Sequence, residues 1–126
     1  MTTDVQRIDF AEEYRYALDN VMPGQSFSWS IQFFESDDIT EIDITGDTFD
    51  CEIKDESGNL FVALTLGSGI AQTDTNEITL SVDESVTKNF DHELTYQYQV
   101  NWDNGSEVLP CGYGPIELLK PIIIIT

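Results

Sequence analysis

Carboxylates dominate the side chains of this chain that could do chemistry. The 126 residues include 24 aspartates and glutamates against 5 lysines and arginines, and the formal net charge is −19. Four acids crowd one short connection: Asp37, Asp38, Glu41 and Asp43. Hard cations such as Ca²⁺ prefer oxygen ligands of this kind. The connection lacks the spacing of an EF-hand loop, so calcium binding is a hypothesis beside the simpler interpretation of a solvated acidic loop.

Other residues suited to catalysis are sparse. The single histidine, His92, lies between Asp91 and Glu93, where a solvated or capping role is the simpler interpretation. No Gly-rich loop leads into a helix to hold phosphate, and no nucleophile occupies a strand-to-helix elbow. The acids are too numerous for one pair to stand out as a glycosidase dyad. The sequence therefore predicts no enzyme activity and no cofactor.

The two cysteines, Cys51 and Cys111, occupy positions in predicted strands. In a reducing compartment, isolated cysteines are most often small buried hydrophobic residues. The alternative is that the two cysteines form a disulfide across the sheet once the protein is outside the cell. Together with one distant histidine, their spacing does not form a zinc site.

The negative charge excludes two classes of partner. Nucleic-acid binding needs clustered Lys and Arg, and anionic membrane surfaces attract basic segments. Solubility or salt tolerance is the simpler interpretation of the charge, and contact with a basic partner surface or divalent cations is the alternative. The polar residues 1–7 predict no signal peptide, and hence synthesis in a cytoplasm. No apolar run approaches the length that spans a bilayer.

Strict alternation of apolar and polar residues predicts strands. In the clearest case one face carries Leu94, Tyr96, Tyr98, Val100 and Trp102. A period of two is typical of a strand with one buried and one exposed face. Asp103–Ser106 follows with an Asn-Gly pair, which predicts a hairpin, and Pro110 predicts a bulge or an edge in the return strand.

Similar patterns extend over most of the chain. They predict strands at 26–35, 48–55, 60–66 and 77–82, a short edge strand around Ile42 and Ile44, a loop at 70–76, and a helical turn near 83–89 capped by Asp83. Seven to nine short strands indicate an all-β fold, an antiparallel β-sandwich of the immunoglobulin-like or jelly-roll-like kind. We expect one domain at 25–119, with an N-terminal arm or strands at 1–24 and a C-terminal strand or tail at 120–126.

The two terminal segments are candidates for subunit contact. Phe10 and Tyr14 belong to an alternating N-terminal stretch that suits either a strand of the domain or an arm reaching a neighbouring subunit. The run Ile122, Ile123, Ile124 and Ile125 is apolar on both faces of a strand. Such a strand lies in a core or is covered by another chain.

Four motifs in order resemble a small tailed-phage virion β-sandwich protein, similar to the N-terminal domain of phage baseplate upper proteins. They are Gly24–Phe27, Ile42–Thr48, the block from Gly69 through Val82 to Thr87, and Tyr96–Val100 with Asp103–Gly105 and a closing Gly112 or Gly114. The resemblance covers residues 24–119. The acidic connection, Asn76-Glu77 and both terminal segments depart from the family pattern.

The resemblance implies a non-enzymatic virion protein, often a trimer, made in the host cytoplasm. Its partners would be other virion proteins: tail, fibre or capsid subunits. We expect a tail or baseplate component, such as an adaptor for tail fibres. A cement protein on the exterior of the capsid is the alternative. A lectin-like receptor binder using the exposed aromatic ring of Tyr113 or Trp102 is a further one.

Overall fold

The structure is a computed structural model that describes residues 3–9, 16–35, 37, 39–91 and 93–119. Over these residues it contains nine strands and one short helix. In chain order they are β1 (Thr3–Asp9), β2 (Leu18–Val21), β3 (Phe27–Phe34), β4 (Thr48–Asp55), β5 (Leu60–Leu66), β6 (Gly69–Asp74), β7 (Glu77–Val82), α1 (Glu84–Thr87), β8 (Tyr96–Asp103) and β9 (Val108–Leu118). The predicted all-β class is confirmed, with one helical turn where Asp83 indicates it. None of the described helical residues forms a segment long and apolar enough to cross a membrane.

All nine strands join one sheet in the order β1-β3-β7-β6-β5-β4-β8-β9-β2. Three neighbouring pairs run parallel, namely β1 with β3, β5 with β6, and β2 with β9. The sheet is therefore mixed. It also curls into a half-barrel, whereas the sequence predicts an antiparallel sandwich. Alternation reveals which side chains face inward, but it carries no information about the direction of a neighbouring strand.

Aromatic contacts across the interior show how far the sheet curls. Strands β3 and β8 are five steps apart in the sheet, which would place them about 24 Å apart if the sheet were flat. Yet the rings of Trp29 on β3 and Tyr98 on β8 have centroids 5.3 Å apart. Phe33 and Trp102, on the same two strands, are separated by 5.1 Å. The two halves of the sheet thus face each other across one aromatic core.

Two glycines make the corner between these halves. Gly67 and Gly69 have φ angles of 89° and 94°, in the region that favours glycine. The amide of Thr65 donates to the carbonyl of Ser68 at 2.9 Å, and the amide of Ser68 donates to the carbonyl of Thr65 at 2.8 Å. A Cβ atom at Gly69 would lie 2.5 Å from a methyl carbon of Leu64. The chain can therefore turn sharply here and pass from one half of the sheet to the other.

Strand β6 corrects the prediction of a loop at 70–76. Only Ile70 is buried in this strand, and its other residues are exposed. The stretch therefore shows no apolar alternation, although it pairs with β7 in the antiparallel sense. Backbone pairing makes this segment a strand.

The predicted buried faces are confirmed on β4 and β8. Phe49, Cys51 and Ile53 face inward on β4, and every second residue of β8 is buried. Strand β3 differs, because residues on both of its faces are buried. Ser30 lies among the polar residues that alternate with Trp29 and Ile31, a position that alternation predicts to be exposed. It is only 3% exposed, and its hydroxyl group lies 2.7 Å from that of Thr79.

The connection between β3 and β4 contains no strand at Ile42 and Ile44, contrary to prediction. The amide of Ile42 donates to the carbonyl of Phe33, whereas that of Ile44 donates to the carbonyl of Thr75. The two bonds go to different segments, so no ladder forms. Ile44 is nevertheless fully buried.

The hairpin and the bulge that the sequence indicates near the C-terminus are confirmed. Strands β8 and β9 pair in the antiparallel sense across the Asn-Gly turn. Val100 pairs with Gly112, but the next residue, Asn101, pairs with Pro110. Cys111 is therefore the extra residue of a bulge, next to a proline that has no N–H group to donate.

One end of the half-barrel is filled by aromatic rings. Phe90, shortly after α1, stacks on Phe61 of β5 with centroids 4.4 Å apart and meets the ring of Tyr96 edge-on at 4.7 Å. The backbone amide of Asp91 donates to the hydroxyl oxygen of Tyr96 at 3.0 Å. These contacts fix the segment after α1 against the start of β8.

Candidate functional site

The acidic connection uses its carboxylates to hold its own turns. Asp37 accepts hydrogen bonds from the hydroxyl group of Thr40 at 2.6 Å and from the amides of Thr40 and Ile39. These bonds, that of the Thr40 hydroxyl first, lower the pKa of Asp37 below its ordinary value. Asp43 likewise accepts from Thr45, which lowers its pKa. Both carboxylates thus already accept hydrogen bonds from residues of the same loop.

The calcium hypothesis remains a prediction. Over the described residues, no three His, Cys, Asp or Glu side chains are grouped closely enough to hold a metal ion. Glu41 forms a backbone bridge with Phe34, and Asp38 lies outside the described residues.

Several other candidates also fall outside the part of the chain that the structure describes. They are His92, the subunit-contact candidates Phe10 and Tyr14, and the run Ile122–Ile125. The roles that the sequence suggests for them therefore stay predictions.

The two cysteines are buried free thiols. Burial raises the pKa of Cys51 to about 12, and the neighbouring carboxylates of Asp50 and Glu52 add to the shift. Burial also raises the pKa of Cys111, with a further contribution from Cys51. Because the thiolate is the reactive form, we expect both thiols to be unreactive in the folded protein.

The two aromatic candidates for ligand contact, Trp102 and Tyr113, differ in their exposure to solvent. Trp102 is only 5% exposed, and its indole N–H donates to a carboxylate oxygen of Asp47 at 2.8 Å. Its expected role as an exposed aromatic contact is therefore wrong, because the alternation of β8 turns it into the core. Tyr113, on the outer face of β9, is 41% exposed.

Tyr113 forms part of a groove on the outer face of β4, β8 and β9. Strand register places Glu52, Gln99 and Tyr113 side by side in one row across the three strands. Lys54 and Gln97 form the neighbouring row. The groove has a volume of about 360 Å³. Alternation indicates that each of these residues faces outward, but strand register is what places them together, and the sequence does not supply it.

A hydrogen-bond relay fixes one wall of this groove. The amide nitrogen of Gln99 donates to the side-chain oxygen of Asn101 at 3.0 Å, and the amide nitrogen of Asn101 donates to Asp50 at 3.1 Å. The acceptor at the end of the relay is a carboxylate, which orients both amides. The side-chain carbonyl oxygen of Gln99 has no hydrogen-bond donor among the described residues.

Comparison with known proteins shows a similarity of fold. No protein-family model and no curated protein matches the chain. Fourteen chains of solved structures match, among them the N-terminal domain of phage TP901-1 ORF48. The TM-score is 0.54 at 9% sequence identity, and the match covers 95% of this chain and 100% of that one. The similarity is one of fold, and at that level it agrees with the resemblance to a phage protein domain that the sequence motifs indicate.

Proposed function

We propose that this protein is a non-enzymatic structural component of a bacteriophage virion, located in the tail or baseplate. The observation that carries the proposal is the fold similarity to a phage protein domain over 95% of the chain. The order of the four sequence motifs supports the same assignment independently. Within the tail, we propose an adaptor that joins fibres or spikes to the tail body.

The packing of the half-barrel favours binding by outer surfaces and edges. Its interior is filled by large side chains, including Trp29, Phe33 and Tyr98, which are no more than 2% exposed. Among the described strands, β1 and β2 lie at the two edges of the sheet. Edge strands offer unpaired backbone groups to other chains.

We further propose a homotrimer in which the terminal segments make subunit contacts. Strand β9 ends beside β2, since the amide of Leu119, the residue after β9, donates to the carbonyl of Val21 at 2.8 Å. Residues 120–126 would then reach a neighbouring subunit, with Ile122–Ile125 as the apolar contact. Phe10 and Tyr14, in the stretch of sequence between β1 and β2, would be its counterpart. The folded body would extend beyond the expected 25–119, because β1 and β2 also belong to the sheet.

Deletion of Pro121–Thr126 tests the assembly role. We expect the oligomer mass measured by light scattering to fall, with little change in the thermal midpoint of the folded subunit. A matched variant replaces Ile122–Ile125 by threonine, which keeps chain length and strand propensity but removes apolar surface. Equal loss of assembly and thermal stability would instead place the segment in the subunit's own core.

Imaging of gold-labelled phage particles tests the location. Label at one vertex, on the tail, is the expected result. Label spread over the head would contradict the tail assignment and would favour the cement-protein alternative.

A further inference from the structure

We propose that the groove on the outer face of β4, β8 and β9 binds an uncharged saccharide. This function goes beyond the assembly role and does not depend on it. The groove contains five outward side chains from two neighbouring rows of the sheet: Glu52, Lys54, Gln97, Gln99 and Tyr113. Its volume of about 360 Å³ lies within the range of ~300–1,000 Å³ that is usual for small-molecule sites.

The polar groups of the groove match a ligand rich in hydroxyl groups. Each hydroxyl of a sugar both donates and accepts hydrogen bonds. Gln97 and Gln99 carry amides that do the same, Glu52 accepts, and Lys54 donates. The side chains of Glu52, Lys54 and Gln97 make no hydrogen bond or ion pair with another described residue, so these groups are available to a ligand.

Part of the site is already ordered before a ligand arrives. Gln99 is held by its bond to Asn101, which is held in turn by Asp50. This arrangement leaves the side-chain carbonyl oxygen of Gln99 as a fixed acceptor. A group that is already oriented loses less conformational freedom on binding, which improves affinity.

Tyr113 supplies the apolar component. Its ring is 41% exposed at the end of the row that contains Glu52 and Gln99. An aromatic ring presents an apolar face together with a polar hydroxyl tip. The C–H face of a pyranose can pack on such a ring while its hydroxyl groups bond to the neighbouring amides.

Charge disfavours an anionic ligand. The side chains that line the groove include one carboxylate, Glu52, and one ammonium group, Lys54, and the carboxylate of Asp50 lies beside them at the end of the relay. The whole chain carries −19 and repels anionic sugars at longer range. A lysine-rich peptide would be attracted by the negative charge of the chain and opposed only by Lys54 inside the groove, so a trilysine peptide is the stricter control.

The test is an NMR titration of the isotope-labelled full-length chain. The probes are methyl glucoside, methyl galactoside, methyl rhamnoside, N-acetylglucosamine and their trisaccharides, together with glucuronic acid and a trilysine peptide. We expect millimolar binding of at least one uncharged sugar, with shifts centred on residues 52–54, 97–99 and 113. Tyr113→Ala should weaken binding about tenfold or more, while Tyr113→Phe should retain it.

A matched pair of glutamine variants controls for nonspecific effects. Gln97→Ala should weaken binding, whereas Gln25→Ala, at an exposed position outside the groove, should not. If Tyr113→Ala unfolds, Gln97→Ala and Glu52→Gln provide the same comparison. The proposal is overturned by absence of shifts at tens of millimolar sugar, by shifts outside the groove, by preference for glucuronic acid or trilysine, or by unchanged affinity in the groove variants.

Discussion

The hydroxyl group of Tyr98 donates a 2.6 Å hydrogen bond to the backbone carbonyl of Tyr16, which is 82 positions earlier in the chain. The amide of Tyr16 in turn donates to the carbonyl of Tyr113 at 2.9 Å. The backbone just before β2 is thus held by both β8 and β9. This segment is therefore fixed by side-chain and backbone contacts beyond the short ladder of β2 itself.

Replacement of Tyr98 by phenylalanine should weaken this anchor. The change removes the hydroxyl group and keeps the ring, so we expect the free energy of unfolding to fall by about 1 kcal/mol. Urea unfolding monitored by fluorescence measures it. Tyr113→Phe is the control, because it removes a hydroxyl from an exposed ring. A similar loss in both variants would contradict a specific role of the bond to Tyr16.

Gly114→Ala should be among the most damaging single methyl additions. A Cβ atom at this position would lie 2.2 Å from the carbonyl oxygen of Tyr16, and that oxygen belongs to the backbone. We expect a loss of about 3 kcal/mol in unfolding free energy. At Gly105 a Cβ would meet open space, but φ is 91°, so Gly105→Ala should cost only about 1 kcal/mol. A larger cost at Gly105 would show that backbone conformation outweighs the steric contact.

The two tryptophans should respond differently to replacement by phenylalanine. Trp102 loses a hydrogen bond from its indole N–H to Asp47. The indole N–H of Trp29 is buried and has no hydrogen-bond partner among the described residues, so its removal relieves an unsatisfied donor. We expect Trp102→Phe to cost about 1–2 kcal/mol more than Trp29→Phe in urea unfolding. Equal costs would mean that the bond to Asp47 contributes nothing net.

Asp83 should stabilise the start of α1 in a pH-dependent way. Its carboxylate accepts from the hydroxyl group and the amide of Ser85, and these bonds lower its pKa below the ordinary 3.8. A lowered pKa stabilises the folded protein above pH 3.8, and that contribution is lost as the pH falls through the folded-state value. Asp83→Ala should therefore lower the melting temperature at pH 7, and the difference should shrink in acid. Asp83→Asn keeps a capping side chain that does not titrate, so it should lower the melting temperature only slightly at pH 7. A gap between wild type and Asp83→Ala that is constant down to pH 2 would contradict this account.

The cysteines should be unreactive until the protein unfolds. Burial and the raised thiol pKa values of Cys51 and Cys111 leave almost no accessible thiolate at pH 8. An Ellman assay should detect no rapid reaction in the native protein and two thiols in concentrated urea. A fast reaction of the folded protein with the Ellman reagent would show that a cysteine is accessible.

The sequence predicts inward-facing residues better than it predicts how strands assemble. Alternation correctly indicates Phe49, Cys51 and Ile53 as core residues, because the period of a pleated strand depends only on local geometry. It does not reveal β6, whose one buried residue produces no pattern, nor the burial of Ser30 on the second face of β3. Parallel pairing at the edges depends on strands far apart in the chain, which local periodicity cannot indicate.

The same limit applies to the candidate site. Glu52, Gln99 and Tyr113 are far apart in sequence, and each is an ordinary outward residue of its own strand. They become neighbours through the register of β4, β8 and β9, including the bulge at Cys111. For Trp102, two features of the sequence disagree. Its position near a turn suggests exposure, but strand alternation places it in the core.

The pairing of β2 with β9 has a consequence for how the protein is made. Leu18 pairs with Ile116, and Val21 pairs with Leu118, so the sheet joins segments almost a hundred positions apart. During translation, Leu18–Val21 leaves the ribosome long before its partner strand has been synthesised. This edge of the sheet can therefore form only after Ile116–Leu118 has left the ribosome, and nascent chains stalled before Ile116 should expose an apolar segment that chaperones recognise.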